Sequence, residues 1–268
     1  MSARTVARAG GRPARGLPPL AVGLLSGAVA FALWWAVTGF GLVSDLFLPS
    51  PVDLWSGLAD LWEDGYKGRS LLEHVGLSLM RVGAGFVTGS LVGTVLGLAM
   101  GFSRRVDALA APFIEFLRPL PQLAYLVLLI VWLGIGETSK ITMLFLAALP
   151  VSAVAARDGV RNVPPERVRA AEMLGATRWQ IFLHVIAPSA APEILTGARL
   201  AIGIVYGTLI AAEIISGASG IGWMILDAGR FLRSDYVFAG ILIIGAAGIL
   251  IDRLLVLVER RLVHWAGR

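Results

Sequence analysis

Residues 157–193 form a charged segment in a chain that is otherwise strongly hydrophobic, and this contrast limits how the chain can fold. The segment carries five arginines, three glutamates and one aspartate. A stretch this long and charged is excluded from hydrocarbon, so it must lie in water. Its arginines favour the cytoplasmic side of a membrane.

The same segment has the pattern of folded structure. Helix formers occupy residues 166–174, Gly175 breaks the pattern, and an amphipathic run follows over residues 179–186. We expect Pro188 to end that run, because proline lacks the N–H and clashes inside a helix. The pattern predicts a helix–glycine–helix element that is presented to another protein.

Composition makes the bilayer the solvent for most of the chain. Of 268 residues, 57% are hydrophobic and 15% charged, and the mean hydropathy is +0.78. The absence of cysteine excludes disulfides, a thiol nucleophile and thiolate metal sites. The three histidines have no helical metal-site spacing, so we expect no metal. We assign the net charge of +5 to membrane orientation and expect no nucleic-acid partner.

Windows without charge predict an all-α integral membrane protein with six transmembrane helices. The predicted spans are 20–43, 82–103, two helices within 119–156 joined by a turn at 134–139, 194–217 and 236–257. The 82–103 window would be about 33 Å long as a helix, enough to cross. Residues 106–117 are predicted as a short interfacial helix.

The distribution of arginine sets the predicted orientation. A basic tail (1–19) and a C-terminal tail (259–268) are placed in the cytoplasm of a bacterial inner membrane, and the acidic, tryptophan-bearing residues 44–74 at the periplasmic interface. The tail and first span resemble a signal peptide with a cleavage site near 28–30. The apolar run is too long for that, which favours an uncleaved anchor.

A ridge of glycines marks the second predicted span. Five glycines recur every four residues: Gly85, Gly89, Gly93, Gly97 and Gly101. Small residues at this spacing let a neighbouring backbone approach closely. We interpret the ridge as a packing surface and, because a four-residue step winds around the helix, expect it to suit a crossing helix.

Charged residues inside predicted spans are candidates for a solute or ion path. They are Arg81, Arg199, Glu213, Asp252 and Arg253. All lie near predicted interfaces, where long side chains reach water, so a structural role is the simpler interpretation. Arg81 and Glu213 remain the pathway candidates, and Glu213 is the harder to explain, because its short side chain reaches water poorly. An alternative function is an ion-coupled secondary transporter that uses Glu213 or Asp252.

Catalytic motifs are absent from the sequence. There is no Walker A motif, no HExxH and no Gly-x-Ser-x-Gly. The sequence therefore predicts no catalytic residues and no nucleotide site in this chain.

Within the charged segment, Ala170-Ala171, Gly175 and Pro188 keep the spacing of the pattern E-A-A-x3-G-x9-I-x-L-P. The segment thereby resembles the loop of permease subunits of ABC importers. Arg169 stands where that pattern has glutamate, and Val185 and Ala187 replace isoleucine and leucine. Three further stretches, 118–124, 134–137 and 184–197, are similar to the taurine, alkanesulfonate and nitrate branch, most of all to taurine permeases.

The resemblance implies a type-1 ABC importer transmembrane core over residues 75–258, with 157–193 as the coupling loop. The expected ATPase-coupling residues are Arg169, Ala170, Ala171, Glu172, Leu174, Gly175, Ala176, Arg178 and Pro188. It implies a homodimer of permeases, two separate ATPase subunits that use ATP and Mg²⁺, a periplasmic or lipid-anchored solute-binding protein, and surrounding membrane lipid. The chain itself is expected to bind no cofactor and to pass a small anion, taurine or another organosulfonate.

Overall fold

The computed structural model describes residues 19–216 and 218–262, and those residues form helices joined by short loops. The helices are α1 (Pro19–Gly39), α2 (Pro51–Glu63), α3 (Leu71–Phe102), α4 (Arg104–Leu117), α5 (Gln122–Leu133), α6 (Glu137–Arg161), α7 (Pro165–Met173), α8 (Arg178–Ile181), a π-helical turn (Phe182–Ile186), α9 (Ala187–Ser216), α10 (Ile221–Arg230) and α11 (Ser234–Leu262). The chain divides into two compact units, Met1–Asp53 and Leu54–Arg268.

Among the residues that the structure describes, five helices are long and apolar enough to cross a membrane. They are Ala21–Gly39, Leu71–Phe102, Glu137–Arg161, Arg178–Ile214 and Ser234–Glu259. A sixth span is present if α4 and α5 are counted together, although they meet at a bend of 103°. The predicted all-α membrane fold is confirmed, with five spans or six according to that pair.

The bend between α4 and α5 corrects the predicted third span. Proline occupies positions 119 and 121, and residue 121 is extended, with φ −65° and ψ 127°. Because proline cannot continue a helix, α5 starts only at Gln122, and Gly134 ends it with φ +81°. Its 12 residues cover about 18 Å, short of a hydrocarbon core of about 30 Å.

The glycine ridge lies against α6. A Cβ added at any of the five glycines would overlap α6 atoms, from Leu144 opposite Gly85 to Val160 opposite Gly101. Both series of residues rise together, so the two helices run side by side in the same direction for about four turns. This differs from the expected crossing helix: the close approach repeats at every turn and is not confined to one point.

The π-helical turn corrects the predicted end of the amphipathic run. The chain does not leave the helix before Pro188, and α8 continues through the turn into α9. The N–H of Ala187 bonds to the carbonyl of Phe182, five residues back. The helix therefore continues past Pro188, whose nitrogen has no hydrogen to donate, directly after this wider turn.

Two further differences lie at the end of the molecule opposite α7 and α8. Helix α3 begins at Leu71, eleven residues before the predicted span, and Ser70 and Glu73 form a capping box at its start. Helix α10 occupies a segment that the sequence predicts as a loop. The early part of α3 carries polar residues that are buried within the protein, so polarity there does not mark a boundary with water.

Candidate functional site

The element formed by α7 and α8 (the α7–α8 element, residues 165–181) is anchored to the end of α6 and the start of α9. Buried Val160, Ile181 and Ile186 form an apolar cluster with Ala190. From the element, Val168, Ala171 and Ala176 are among the residues that pack on that cluster. One side of the element is therefore fixed to the membrane helices.

A tight bend joins the two short helices. Gly175 has φ +79°, a conformation that disfavours any residue with a Cβ, and beyond its two chain neighbours no residue lies within 4 Å of where that Cβ would be. Thr177 then caps α8 in a reciprocal box with Gln180, whose Oε1 accepts from the Thr177 N–H at 2.8 Å. Local backbone chemistry thus sets the angle between α7 and α8.

The other side of the element is exposed and carries an apolar tip. Met173 is 83% exposed and Leu174 is 89% exposed. Of the predicted coupling residues, several are exposed: Arg169, Ala170, Glu172, Leu174, Gly175, Arg178 and Pro188. The other two, Ala171 and Ala176, are half-buried. Two adjacent large apolar side chains in water are typical of a protein contact surface. Met173 is not among the coupling residues predicted from the sequence, although it is part of this tip.

At the opposite ends of α6 and α9 lies a buried charge cluster of Arg81, Glu137, Lys140 and Glu213. Arg81 donates from Nη1 to Glu213 Oε1 at 2.6 Å. The same guanidinium binds both carboxylate oxygens of Glu137, at 2.6 and 2.7 Å. Lys140 donates to Glu137 at 3.1 Å. Two cations and two carboxylates balance each other, which offsets the cost of removing them from water.

The cluster also holds the segment that links α9 to α10. Arg81 donates to the carbonyl and hydroxyl oxygens of Ser219, at 3.0 and 2.9 Å. Glu213 accepts from Ser78 Oγ at 2.7 Å and from the Gly222 N–H at 2.8 Å. A Cβ on Gly220 would overlap the Glu213 carboxylate, so glycine is needed there for close approach.

A histidine completes this contact. His74 Nδ1 accepts from the Gly220 N–H at 3.1 Å, so the proton is on Nε2, which lies 3.2 Å from the Tyr66 carbonyl. The imidazole stacks on Trp223. The Tyr66 hydroxyl donates to Asp227 at 2.8 Å, and burial together with that bond raises the pKa of Tyr66. The start of α3, the segment that links α9 to α10, and α10 itself thus form one packed unit.

These contacts correct the expectation that Arg81 reaches water. Arg81 and Glu213 are both 0% exposed, and only Glu137 in the cluster is substantially open, at 44%. A solute has no access to Arg81 or Glu213 in this conformation. Asp252, the other proton candidate, is exposed and pairs with Arg199 at 2.9 Å.

An open groove follows one face of α9. Its first part, about 500 Å³, lies between α6 and α9 and includes Arg118, Glu193 and Thr196. A second part of about 310 Å³ shares Ile204 with the first and continues past Gly207. Asn162 donates to both oxygens of Glu193 at 3.1 Å, whereas Arg118 has no ion pair within residues 19–216 and 218–262.

Within the part of the chain that the structure describes, no group of three or more histidine or acidic side chains is placed to hold a metal ion.

One sequence pattern could have indicated part of the buried charge cluster. Residues 74, 78 and 81 follow i, i+4, i+7 spacing, and the same face continues into the glycine ridge from Gly85. A polar stripe in line with a packing ridge indicates a buried polar contact. Its partners, Glu137 and Glu213, are too distant in the chain to be identified by spacing.

Comparisons with known proteins agree with this geometry. The family model described as "Binding-protein-dependent transport system inner membrane component" matches residues 73–264. The taurine transport system permease protein TauC of Escherichia coli (strain K12) is 42% identical over 249 residues, covering 92% of this chain and 90% of that protein. A protein named as an aliphatic sulfonates transport permease, SsuC of Bacillus subtilis (strain 168), is 37% identical, with 91% and 87% covered.

Among solved structures, one of inward-facing conformations of the MetNI methionine ABC transporter matches with a TM-score of 0.56 and 21% identity. The match covers 69% of this chain and 95% of that chain. At this identity the likeness concerns the fold.

Proposed function

The chain belongs to the family of binding-protein-dependent transport system inner membrane components, and from that premise we propose that it imports an organosulfonate such as taurine with energy from ATP. It is a permease subunit of an ABC importer, a transport component and not an enzyme. In the proposal, two copies form the path, two ATPase subunits bind the α7–α8 element in the cytoplasm, and a solute-binding protein delivers the solute from the other side.

The observation that carries the proposal is the α7–α8 element. Its inner side is fixed by the apolar cluster around Val160 and Ile181, while Leu174 and Met173 project from its tip. An apolar tip on a fixed base suits insertion into a groove of a partner protein. ATP binding would then move this element, and the helices attached to it, when the ATPase subunits close.

The groove along α9 supports the path and the second copy. Gly203 and Gly207 leave open space where a Cβ would lie, so another backbone can approach them closely. Arg118, which has no ion pair among the described residues, supplies a positive charge at one end of the groove. That charge favours an anionic solute.

The choice of organosulfonate rests on relatives. Two proteins with 42% and 37% identity are named for taurine and aliphatic sulfonates. The alternative of a secondary transporter has less support, because the Glu213 carboxylate is fully buried and accepts bonds from Ser78, Arg81 and Gly222. A proton site in a carrier needs access to water from each side in turn.

Co-purification with the cognate ATPase tests the proposal, with Gly175→Asp as the disrupting variant. Gly68→Asp is the matched control, because Gly68 has the same φ of +79°, also has open space around it, and lies near the start of α3, far along the chain from the α7–α8 element. We expect wild type and the control to retain the ATPase and Gly175→Asp to lose it.

Reconstitution then addresses the solute. Proteoliposomes with the ATPase and a solute-binding protein should accumulate taurine only when ATP is supplied. Uptake driven by a proton gradient without any ATPase, and abolished in Glu213→Gln, would instead establish the secondary transporter.

A further inference from the structure

An apolar crevice lies where the end of α3 meets α8 and the π-helical turn. It encloses about 370 Å³ and is lined by Val95, Leu98, Ala99, Phe102, Trp179 and Phe182. The α3 residues of the crevice follow the spacing i, i+3, i+4, i+7, so they share one face of the helix. This face is turned away from the glycine ridge, which occupies the side of α3 against α6.

Aromatic rings form much of the crevice wall. Trp179 and Phe182 stack with centroids 5.5 Å apart, and Phe102 meets Phe182 edge-on at 5.2 Å. Trp179 is 66% exposed, although it is large and apolar. Tryptophan is enriched where hydrocarbon meets headgroups, and this ring lies at the end of a membrane-spanning helix.

Two unbalanced positive charges follow the crevice directly. Arg104 and Arg105 are exposed and come two and three residues after Phe102. Both arginines are at the start of α4, and the two acidic residues of α4 already have other partners. Asp107 binds Arg161 at 2.6 Å, and Glu115 binds Arg157 at 3.3 Å. Within the described parts of the chain, neither Arg104 nor Arg105 has an ion pair.

We propose that this crevice binds an anionic phospholipid, with an acyl chain along Val95 and Phe102 and the phosphate at Arg104 and Arg105. An arginine fork matches phosphate geometry, and basic residues beside an apolar site at the membrane surface favour anionic lipids. We assign this lipid to the cytoplasmic leaflet, an assignment that rests on the proposed function, which puts the adjoining α7–α8 element on the ATPase side.

Charge distinguishes this occupant from a second copy of the chain. A second copy of this face would bring two more arginines to the contact, and the acids of α4 are already paired with Arg161 and Arg157, so it would supply positive charge and no free counter-charge. A lipid provides both the apolar chain that the crevice lacks and the negative charge that the two arginines lack.

Quenching of Trp179 by brominated lipids tests the proposal on the full chain in nanodiscs of phosphatidylcholine. The chain has eight tryptophans, so the Trp179 signal is the difference between wild type and Trp179→Phe. Brominated phosphatidylglycerol and brominated phosphatidylcholine are compared at matched mole fractions. We expect half-maximal quenching by the anionic lipid at roughly a tenth of the mole fraction that the neutral lipid needs.

Variants separate the charge from the crevice. Arg104→Gln with Arg105→Gln should remove the preference and leave quenching by the neutral lipid, whereas Arg230→Gln, an exposed arginine at the end of α10, should keep the preference. Ala99→Leu should fill the crevice and reduce quenching by both lipids. Inorganic phosphate is added to test whether a free anion competes with the lipid. It should not reverse the quenching of Trp179 by brominated phosphatidylglycerol.

Three outcomes would overturn the proposal. Equal quenching by both lipids would mean ordinary annular lipid, no quenching would mean that protein covers the crevice, and competition by phosphate would mean an anion site without a lipid. The quenching experiment uses the permease alone, so its failure would leave the importer proposal intact. Loss of ATPase binding in the co-purification experiment would likewise not change the result of the lipid experiment.

Discussion

Arg81 of α3 and Glu213 of α9 form an ion pair of 2.6 Å in which neither side chain has exposed surface. The two residues are separated by 132 positions in the chain, yet the same guanidinium also binds Glu137 at the start of α6. A charge buried this completely is tolerated only with its partners in place.

Removing one partner of this pair should destabilise the protein strongly. In Glu213→Gln, Arg81 keeps Glu137 but loses a buried counter-charge, and we expect a loss of about 3 kcal/mol in the free energy of unfolding. Unfolding of the purified protein in mixed micelles, followed by far-UV circular dichroism, measures it. Asp252→Asn is the matched control, because its pair with Arg199 is exposed and screened by water, so its loss should change stability far less. Equal effects of the two variants would show that burial does not set the strength of the pair.

Close packing of α3 on α6 should make the ridge intolerant of even a methyl group. In Gly93→Ala the new Cβ meets the Leu149 carbonyl and Ser152, and we expect a loss of about 1–3 kcal/mol in the free energy of unfolding. Gly83→Ala lies on the same helix with open space around it, so it should be neutral or stabilising by up to about 1 kcal/mol. The same unfolding measurement compares them, and a stable Gly93→Ala would contradict the packing argument.

The exposed tip of the α7–α8 element should contribute to binding and little to folding. Leu174→Ser should weaken ATPase binding by about 2 kcal/mol, roughly thirtyfold in Kd, because burial of a leucine at the contact is lost. Titration of labelled ATPase against the permease in nanodiscs measures the Kd. Ile135→Ser, at a residue 78% exposed in the turn before α6, should leave the Kd unchanged. An unaltered Kd in Leu174→Ser would place the contact elsewhere on the element.

Tyr66 should give a pH-dependent contribution to stability. Burial and the bond to Asp227 raise its pKa, so the folded phenol stays neutral after the unfolded one ionises near pH 10. The contribution is therefore complete below about pH 10 and is lost as the pH rises through the folded pKa. We expect Tyr66→Phe to be less stable by about 1 kcal/mol near neutrality and the gap to narrow in alkali. If the stability difference between wild type and Tyr66→Phe instead widened with pH, the pKa of Tyr66 would be lowered by folding and not raised.

Sequence patterns predicted the elements whose structure is set by the surrounding solvent or by residues adjacent in the chain. Charge-free windows found most of the membrane helices, and Gly175 marked the bend within the 157–193 segment, because hydrocarbon and local backbone chemistry act on neighbours in the chain. The proline signal was wrong at Pro188, where the helix continues. The partners of Arg81 depend on which helices meet in three dimensions. Polarity also misled at the start of α3, where Ser78 and His74 are buried among protein groups and do not face water.

The positions of Glu137 and Glu213 give α6 and α9 an unusual mechanical relationship. The two helices are joined through the α7–α8 element at one end and through the guanidinium of Arg81 at the other. The helices and their two connections make a closed frame. One connecting side is the covalent chain of the α7–α8 element, and the other is ionic and consists of the ion pairs of Arg81. A closed frame resists splaying of its long members, so a pull on the covalent side would turn α6 and α9 as one rigid body. Opening that frame would require breaking one of the two ion pairs of Arg81: the fully buried pair with Glu213 or the partly exposed pair with Glu137.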